Sequence, residues 1–189
     1  MIDKLCDQAS GQNATVACFY FNSAAQEEQS PTSMLGALLK QLVGGLHSVP
    51  VEIFRAYFDQ RSAIGGRAPR LADIVKMLQN TASRKPTFIC IDALDECAAR
   101  YRVTLLNSLH QILQKSPSTR IFVTGRPHIQ AEVKKRLSGR VTAIRITPMI
   151  YDICIYLQAR LDEDTTPDAM DRSLQADLLV KVVRDVSEM

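Results

Sequence analysis

Nowhere in this 189-residue chain does the spacing Gly-x-x-x-x-Gly-Lys-Ser/Thr occur, and neither Gly44-Gly45 nor Gly65-Gly66 is followed by Lys-Ser or Lys-Thr. Such a loop cradles phosphates through backbone N–H groups and a Lys. Each charge-assisted bond contributes about 1.5–3 kcal/mol. The lack of three of them therefore removes roughly three to six orders of magnitude in affinity for a nucleotide. Cysteine is sparse and unpaired in pattern: five residues, at 6, 18, 90, 97 and 154, with no Cys-x-x-Cys. Cys18 and Cys90 fall inside predicted strands, where a thiol behaves as a small hydrophobe, and the set fits a reducing compartment. No basic region followed by an apolar core opens the chain, and no apolar stretch approaches membrane-spanning length, so a cytoplasmic location and no membrane partner are expected. Charge of one sign is also missing. With 23 Lys and Arg against 20 Asp and Glu, the formal net charge is +3, which points to no nucleic-acid surface.

What is present is an ordinary globular composition, 46% hydrophobic and 23% charged, with length for one domain and a sizeable core. Its organising stretch runs from Pro86 to Cys97. Thr87 to Ile91 is a short apolar run rich in β-branched and aromatic residues, the pattern of a strand buried on both faces in a parallel sheet. Asp92, Asp95 and Glu96 follow at once. A buried strand has no use for three carboxylates unless its C-terminal end opens onto water or a site, because an unpaired buried charge costs several kcal/mol. Two readings are open at this point: a solvated acidic turn, or a ligand site at the strand end, where α/β sheets bind their ligands. A metal-dependent hydrolase resting on these carboxylates alone is disfavoured, since His47, His110 and His128 lie at no ligand spacing from them.

Strands and helices alternate along the rest of the chain. Ile2 to Ala9 reads as the tail of a helix ended by Gly11, and Thr15 to Phe21 as a second buried strand. Ser30-Pro31 starts a helix, with Ser30 as N-cap and Pro31 at the first helical position, and Met34, Leu35, Leu38, Leu39, Leu42 and Val43 form its apolar stripe. Val51 to Gln60 predicts a short helix carrying Ile53, Phe54 and Tyr57, Ala63 to Pro69 a loop, and Leu71, Ile74, Val75 and Leu78 a further helical stripe. Tyr101 to Lys115 predicts a long helix with Leu105, Leu106, Leu109, Ile112 and Leu113 inward. Arg120 to Thr124 is the third expected strand. Pro127 to Ser138 is expected as a helix burying Ile129, Val133 and Leu137, with Lys134, Lys135 and Arg136 as a solvated face and Gly139 as its stop. Val141 to Ile146, alternating and β-branched, predicts a fourth strand, followed by a helix from Thr147-Pro148 through Leu161 and an amphipathic helix over Leu174 to Val183.

The run Phe-Ile-Cys-Ile-Asp followed by Ala-Leu-Asp-Glu resembles the extended Walker B motif, Asp-x-x-Asp-Glu, of the NACHT branch of the STAND P-loop NTPases, and most closely the fungal, nephrocystin-like modules. Thr124-Gly125-Arg126-Pro127 resembles their sensor segment, with Gly125 where Ser is usual. Thr147-Pro148 and Asp152-Ile153-x-x-Tyr156-Leu157 resemble a segment after their last sheet strand, though Met149, Ile150 and Tyr151 replace charged residues. The resemblance implies a P-loop NTPase-type three-layer αβα fold with a mostly parallel sheet, the Asp92 strand lying between the Thr15 and Arg120 strands. It implies that Asp92 holds Mg²⁺ through water, that Asp95 and Glu96 polarise the attacking water or sense nucleotide state, and that Thr124 and Arg126 face the phosphates of ATP. Residues 1–189 would then be a partial NACHT domain, the first strand and P-loop lying outside it along with any winged-helix or repeat region.

Two functions compete on this fold. One is a fragment of an ATP-binding and ATP-hydrolysing signalling switch in a longer NLR-like defence or self-recognition protein, inactive alone. Its partners would be an N-terminal effector, C-terminal repeats and other NACHT copies. The alternative is a degenerate, non-enzymatic interaction module that keeps the fold without nucleotide binding.

Overall fold

The computed structural model describes residues 2–11, 13–62, 68–137, 141–147, 149–163 and 172–187. It divides into two compact units, Met1–Thr142 and Ala143–Met189. In the first, α1 (Ile2–Gly11) leads into β1 (Thr15–Tyr20), and α2 (Pro31–Gly44), α3 (Val51–Ser62) and α4 (Leu71–Ala82) lead to β2 (Thr87–Asp92). Next come α5 (Ala99–Lys115), β3 (Thr119–Val123) and α6 (Gln130–Arg136). Short 3₁₀ turns at Ser23–Ala25, Leu94–Glu96 and Pro127–Ile129 follow the three strand ends.

The fold is mixed α/β, an αβα-layered arrangement around a three-stranded sheet of order β1-β2-β3. Both pairings are parallel, with Thr15 opposite Thr87 and Thr87 opposite Thr119. Parallel neighbours need a crossover connection, and the helices between the strands supply it. β2 is therefore the central strand, as its two-sided apolar run requires.

One face of the sheet, through Ala17, Ile89 and Ile91, joins the main core with Met34, Leu35, Leu38 and Leu42 of α2, Leu78 of α4 and Leu105, Leu106, Leu109 and Ile112 of α5. Period-2 alternation sends Val16, Cys18, Phe88 and Cys90 to the other face. Ser30 caps α2, its Oγ accepting from Ser33 N at 3.2 Å, and Pro31 sits in the first turn. The α4 and α5 C-termini are tied together: Gln79 Nε2 donates to Gln111 O at 2.9 Å and Ser116 Oγ donates to Gln79 O at 3.1 Å.

β1 is an edge strand, and exposed edges invite unwanted pairing. Gln41 of α2 occupies that edge, accepting from Cys18 N and donating to Cys18 O, both at 2.8 Å. One side-chain amide thus stands in for a neighbouring strand at this residue. Periodicity reads Gln41 only as a polar position between Leu39 and Leu42.

Two expectations are corrected. Val141 to Ile146 is not a strand: it joins no sheet among the described residues, and Ile144 and Ile146 are 81% and 86% exposed. A β-branched run needs a ladder partner to become a strand, and none is present here. The helix expected from Thr147-Pro148 begins at Ile150, as α7 (Ile150–Asp162). In α3, Phe54 and Tyr57 are 54% and 50% exposed, while Ile53 and Ala56 pack on the core. Most of the Ala63 to Pro69 loop and the Gly139 stop lie outside the described residues.

The second unit holds α7 and α8 (Arg172–Ser187), which pack on each other. Ile153 and Leu157 of α7 are half-buried, but no residue of that helix is fully buried. No helix among the described residues is long and apolar enough to cross a membrane.

Candidate functional site

β2 and β3 end side by side because they are parallel neighbours in register, Ile91 opposite Val123. Their next residues are therefore forced to the same edge, the C-terminal one. Asp92 closes β2. Ala93 then adopts the left-handed conformation, φ 53° and ψ 46°, which costs a residue with a Cβ roughly 1–2 kcal/mol. Contacts with Thr124 hold that turn: its Oγ1 accepts from Ala93 N at 2.9 Å and its carbonyl accepts from Leu94 N at 3.0 Å. The same hydroxyl donates to Asp92 Oδ1 at 2.5 Å. Thr124 thus locks the acidic turn onto β3 by three bonds. A valine of the same shape would lose two of them.

Asp95 points back across the edge. Its Oδ1 accepts from Arg126 N at 3.2 Å and its Oδ2 lies 3.4 Å from Arg126 Nε. The Asp95 side chain is 10% exposed and that of Arg126 78%, so the backbone bond fixes Asp95 while Arg126 extends into water. Screening leaves such a pair little net energy. Gly125 is what allows the approach: a Cβ there would stand 2.7 Å from Ile129 Cδ1 and 3.3 Å from Asp95 Oδ1. A side chain there would require Ile129 to shift.

Glu96 faces the other way, toward the loop after β1. Its Oε2 accepts from Ser23 N at 2.9 Å, and its carbonyl accepts from Gln26 Nε2 at 2.8 Å. Asn22 shapes that loop by accepting from Ala24 N at 2.9 Å, and Arg100 of α5 pairs with Glu27. Behind the acidic turn, Arg102 donates to Cys97 O at 3.1 Å and to Glu132 Oε2 at 2.8 Å, so α5 connects the turn to α6. Burial pushes the Cys97 thiol up to about 11 and the Cys90 thiol up to about 12, so both stay protonated at neutral pH. Thiols held in the protonated form are slow nucleophiles.

All five residues singled out in the sequence therefore lie along one sheet edge. Asp92 and Thr124 are in contact, as are Asp95 and Arg126; Glu96 belongs to a separate contact with the β1 loop. Ser23 and Gln26 escape sequence reading because they contribute through a backbone N–H and a loop amide, which leave no spacing pattern. Asp92 Oδ2 has no partner among the described residues, and no group of three or more His, Cys, Asp or Glu among them is arranged to hold a metal ion. One open carboxylate oxygen would hold the water shell of a cation only if further ligands came from elsewhere.

An αβα-layered domain with a parallel sheet and an acidic turn at its C-terminal edge is the class that fold and site define. The family model for nephrocystin 3, N-terminal, matches residues 1–126 of the 189, and the chain belongs to that family. The matched region ends at Arg126 and so contains the whole acidic edge. No curated protein matches the chain.

Proposed function

We propose that this chain carries the Walker B and sensor half of a NACHT-class nucleotide site, part of an ATP-operated signalling switch whose phosphate loop is supplied by a further segment. The supporting observation is the meeting of Asp92, Asp95, Thr124 and Arg126 at one sheet edge. In this reading Asp92, with Oδ2 open, orients the water shell of Mg²⁺, and the exposed Arg126 guanidinium faces the phosphates. Thr124 holds Asp92 in place. Asp95 or Glu96 would polarise the attacking water, Glu96 only after leaving Ser23 N. The bound Mg-ATP supplies the phosphoryl chemistry; the chain's own groups orient it and exchange protons. The switch would serve cytoplasmic defence or self-recognition signalling with neighbouring domains and other copies as partners. Nucleic acid and membrane are not among them.

The chain alone should neither bind nor hydrolyse ATP measurably. Isothermal titration of the 189-residue protein with Mg-ATP should show no micromolar binding. A version extended by its in-frame upstream coding sequence should bind, and Asp92→Asn in it should weaken the Mg²⁺-dependent part. Micromolar binding by the 189-residue chain, or an extended chain with a phosphate loop that still ignores ATP, would overturn the assignment.

A second reading, a non-enzymatic interaction module, is favoured by one observation: each of the three acidic side chains already has an internal partner, Thr124, Arg126 or the Ser23 N–H. An upstream sequence without a Gly-Lys loop would support it.

A further inference from the structure

Three of the five cysteines gather on the sheet face away from the main core. Cys18 of β1 and Cys90 of β2 are direct partners in the parallel ladder. Both side chains leave the sheet on the same face, since in-register residues of neighbouring strands point alike. Burial, with the Cys18 thiol as the next contributor, pushes the Cys90 thiol up to about 12, and α1, which carries Cys6, packs on β1. Neighbouring strands lie ~4.8 Å apart, inside the Cα separation of about 4.4–6.8 Å that a disulfide spans. Access is graded: Cys6 is exposed, Cys18 half-buried and Cys90 buried.

We propose that Cys18 and Cys90 form a reversible dithiol that a hydroperoxide oxidises to a cross-strand disulfide, a modification site in the middle of the sheet. The more accessible Cys18 reacts first. Its thiolate attacks one peroxide oxygen, forming an S–O bond as the O–O bond breaks, and the departing oxygen takes up a proton as water. The Cys90 sulfur then attacks Cys18 Sγ, forming the S–S bond as the S–O bond breaks; the Cys90 proton leaves with that oxygen as a second water. Two thiols give up two electrons and one hydrogen peroxide accepts them. Side chains in a parallel ladder stand side by side and do not lean together, so the bridge must draw the strands inward. Strained disulfides are the readily reduced, labile ones. The bridge would sit two residues before the Tyr20–Asp92 pair, and so would brace the strand ends that carry the acidic edge.

The test is stoichiometric hydrogen peroxide on the folded chain and on the C6S/C154S variant, which retains only Cys18, Cys90 and Cys97. After quenching and denaturing alkylation, peptides are mapped without reductant, with fragment spectra separating Cys90 from Cys97. The expected result in both proteins is a Cys18–Cys90-linked peptide, two alkylatable thiols lost per chain, full recovery with dithiothreitol, and loss of this selectivity when oxidation is done in urea. Cys18 and Cys90 both remaining alkylatable would overturn the proposal, as would oxidation of Cys18 to sulfinic acid without a link, or a bridge that uses Cys97.

Discussion

The Thr87–Asp92 strand and the Val141–Thr147 stretch have similar β-branched sequences, yet the first is the centre of the sheet and the second joins no sheet among the described residues. In β2, Ile89 and Ile91 are buried to 0% and 1% exposure, while Ile144 and Ile146 stand above 80%. Local preference does not separate the two. What separates them is that β2 has a ladder partner on each side and helices over its core face, whereas beyond Val141, which still touches the core, the later stretch has neither. β-propensity measures fit to a pleated, half-buried surface, so the same residues without a neighbour remain extended chain. The edge strand β1 is intermediate: β2 lies on one side and the Gln41 amide on the other.

Substitutions graded by this difference should separate the two stretches. The largest effect is expected from Ile89→Ala, which opens a cavity at the sheet centre and should cost about 2–5 kcal/mol in urea unfolding. A cost below 1 kcal/mol would mean that β2 is not the core of the fold. Thr124→Ala should cost roughly 0.5–1.5 kcal/mol, because it removes two hydrogen bonds whose remaining partners water can reach. Thr124→Ser should restore most of that, and equal loss in both variants would assign the effect to the methyl group.

Alkaline titration probes the buried thiols beside the same strand. Folding raises Cys97 to about 11 and Cys90 to about 12 from an ordinary value of 9.0, chiefly by burial. Between those limits the unfolded chain has released protons that the folded chain keeps. Stability from this source is therefore complete below pH 9 and falls as pH rises, by up to about 1.4 kcal/mol per pH unit and thiol. Urea midpoints from pH 8 to 10.5 should show that decline, and Cys97→Ala should make it shallower. A slope unchanged by that variant would place the alkaline loss elsewhere. The smallest effect belongs to the outlying stretch: Ile146→Ser should shift stability by no more than about 0.5 kcal/mol, as exposed positions do. A loss near that of Ile89→Ala would show that the stretch is paired in solution.

Where short-range physics is enough, the chain's own residues determine the outcome. The helical stripes of α2, α4 and α5 and the Ser30-Pro31 cap follow from local spacing and backbone chemistry, as does the apolar run of β2. Parallel pairing also follows, since helical crossovers separate the strands, and the family resemblance adds β2 as the central strand. That order brings Asp92, Asp95, Glu96, Thr124 and Arg126 to one edge. Tertiary structure decided the rest. Which carboxylate meets which partner depended on the left-handed turn at Ala93 and on the close packing of Gly125 against Ile129 and Asp95. Gln41 became an edge cover and Ser23 a partner of Glu96 because distant segments met there. Val141 to Ile146 stayed out of the sheet for the same physical reason: hydrogen-bond partners in a sheet come from elsewhere in the chain, and a local pattern states a preference for pairing without providing the pair.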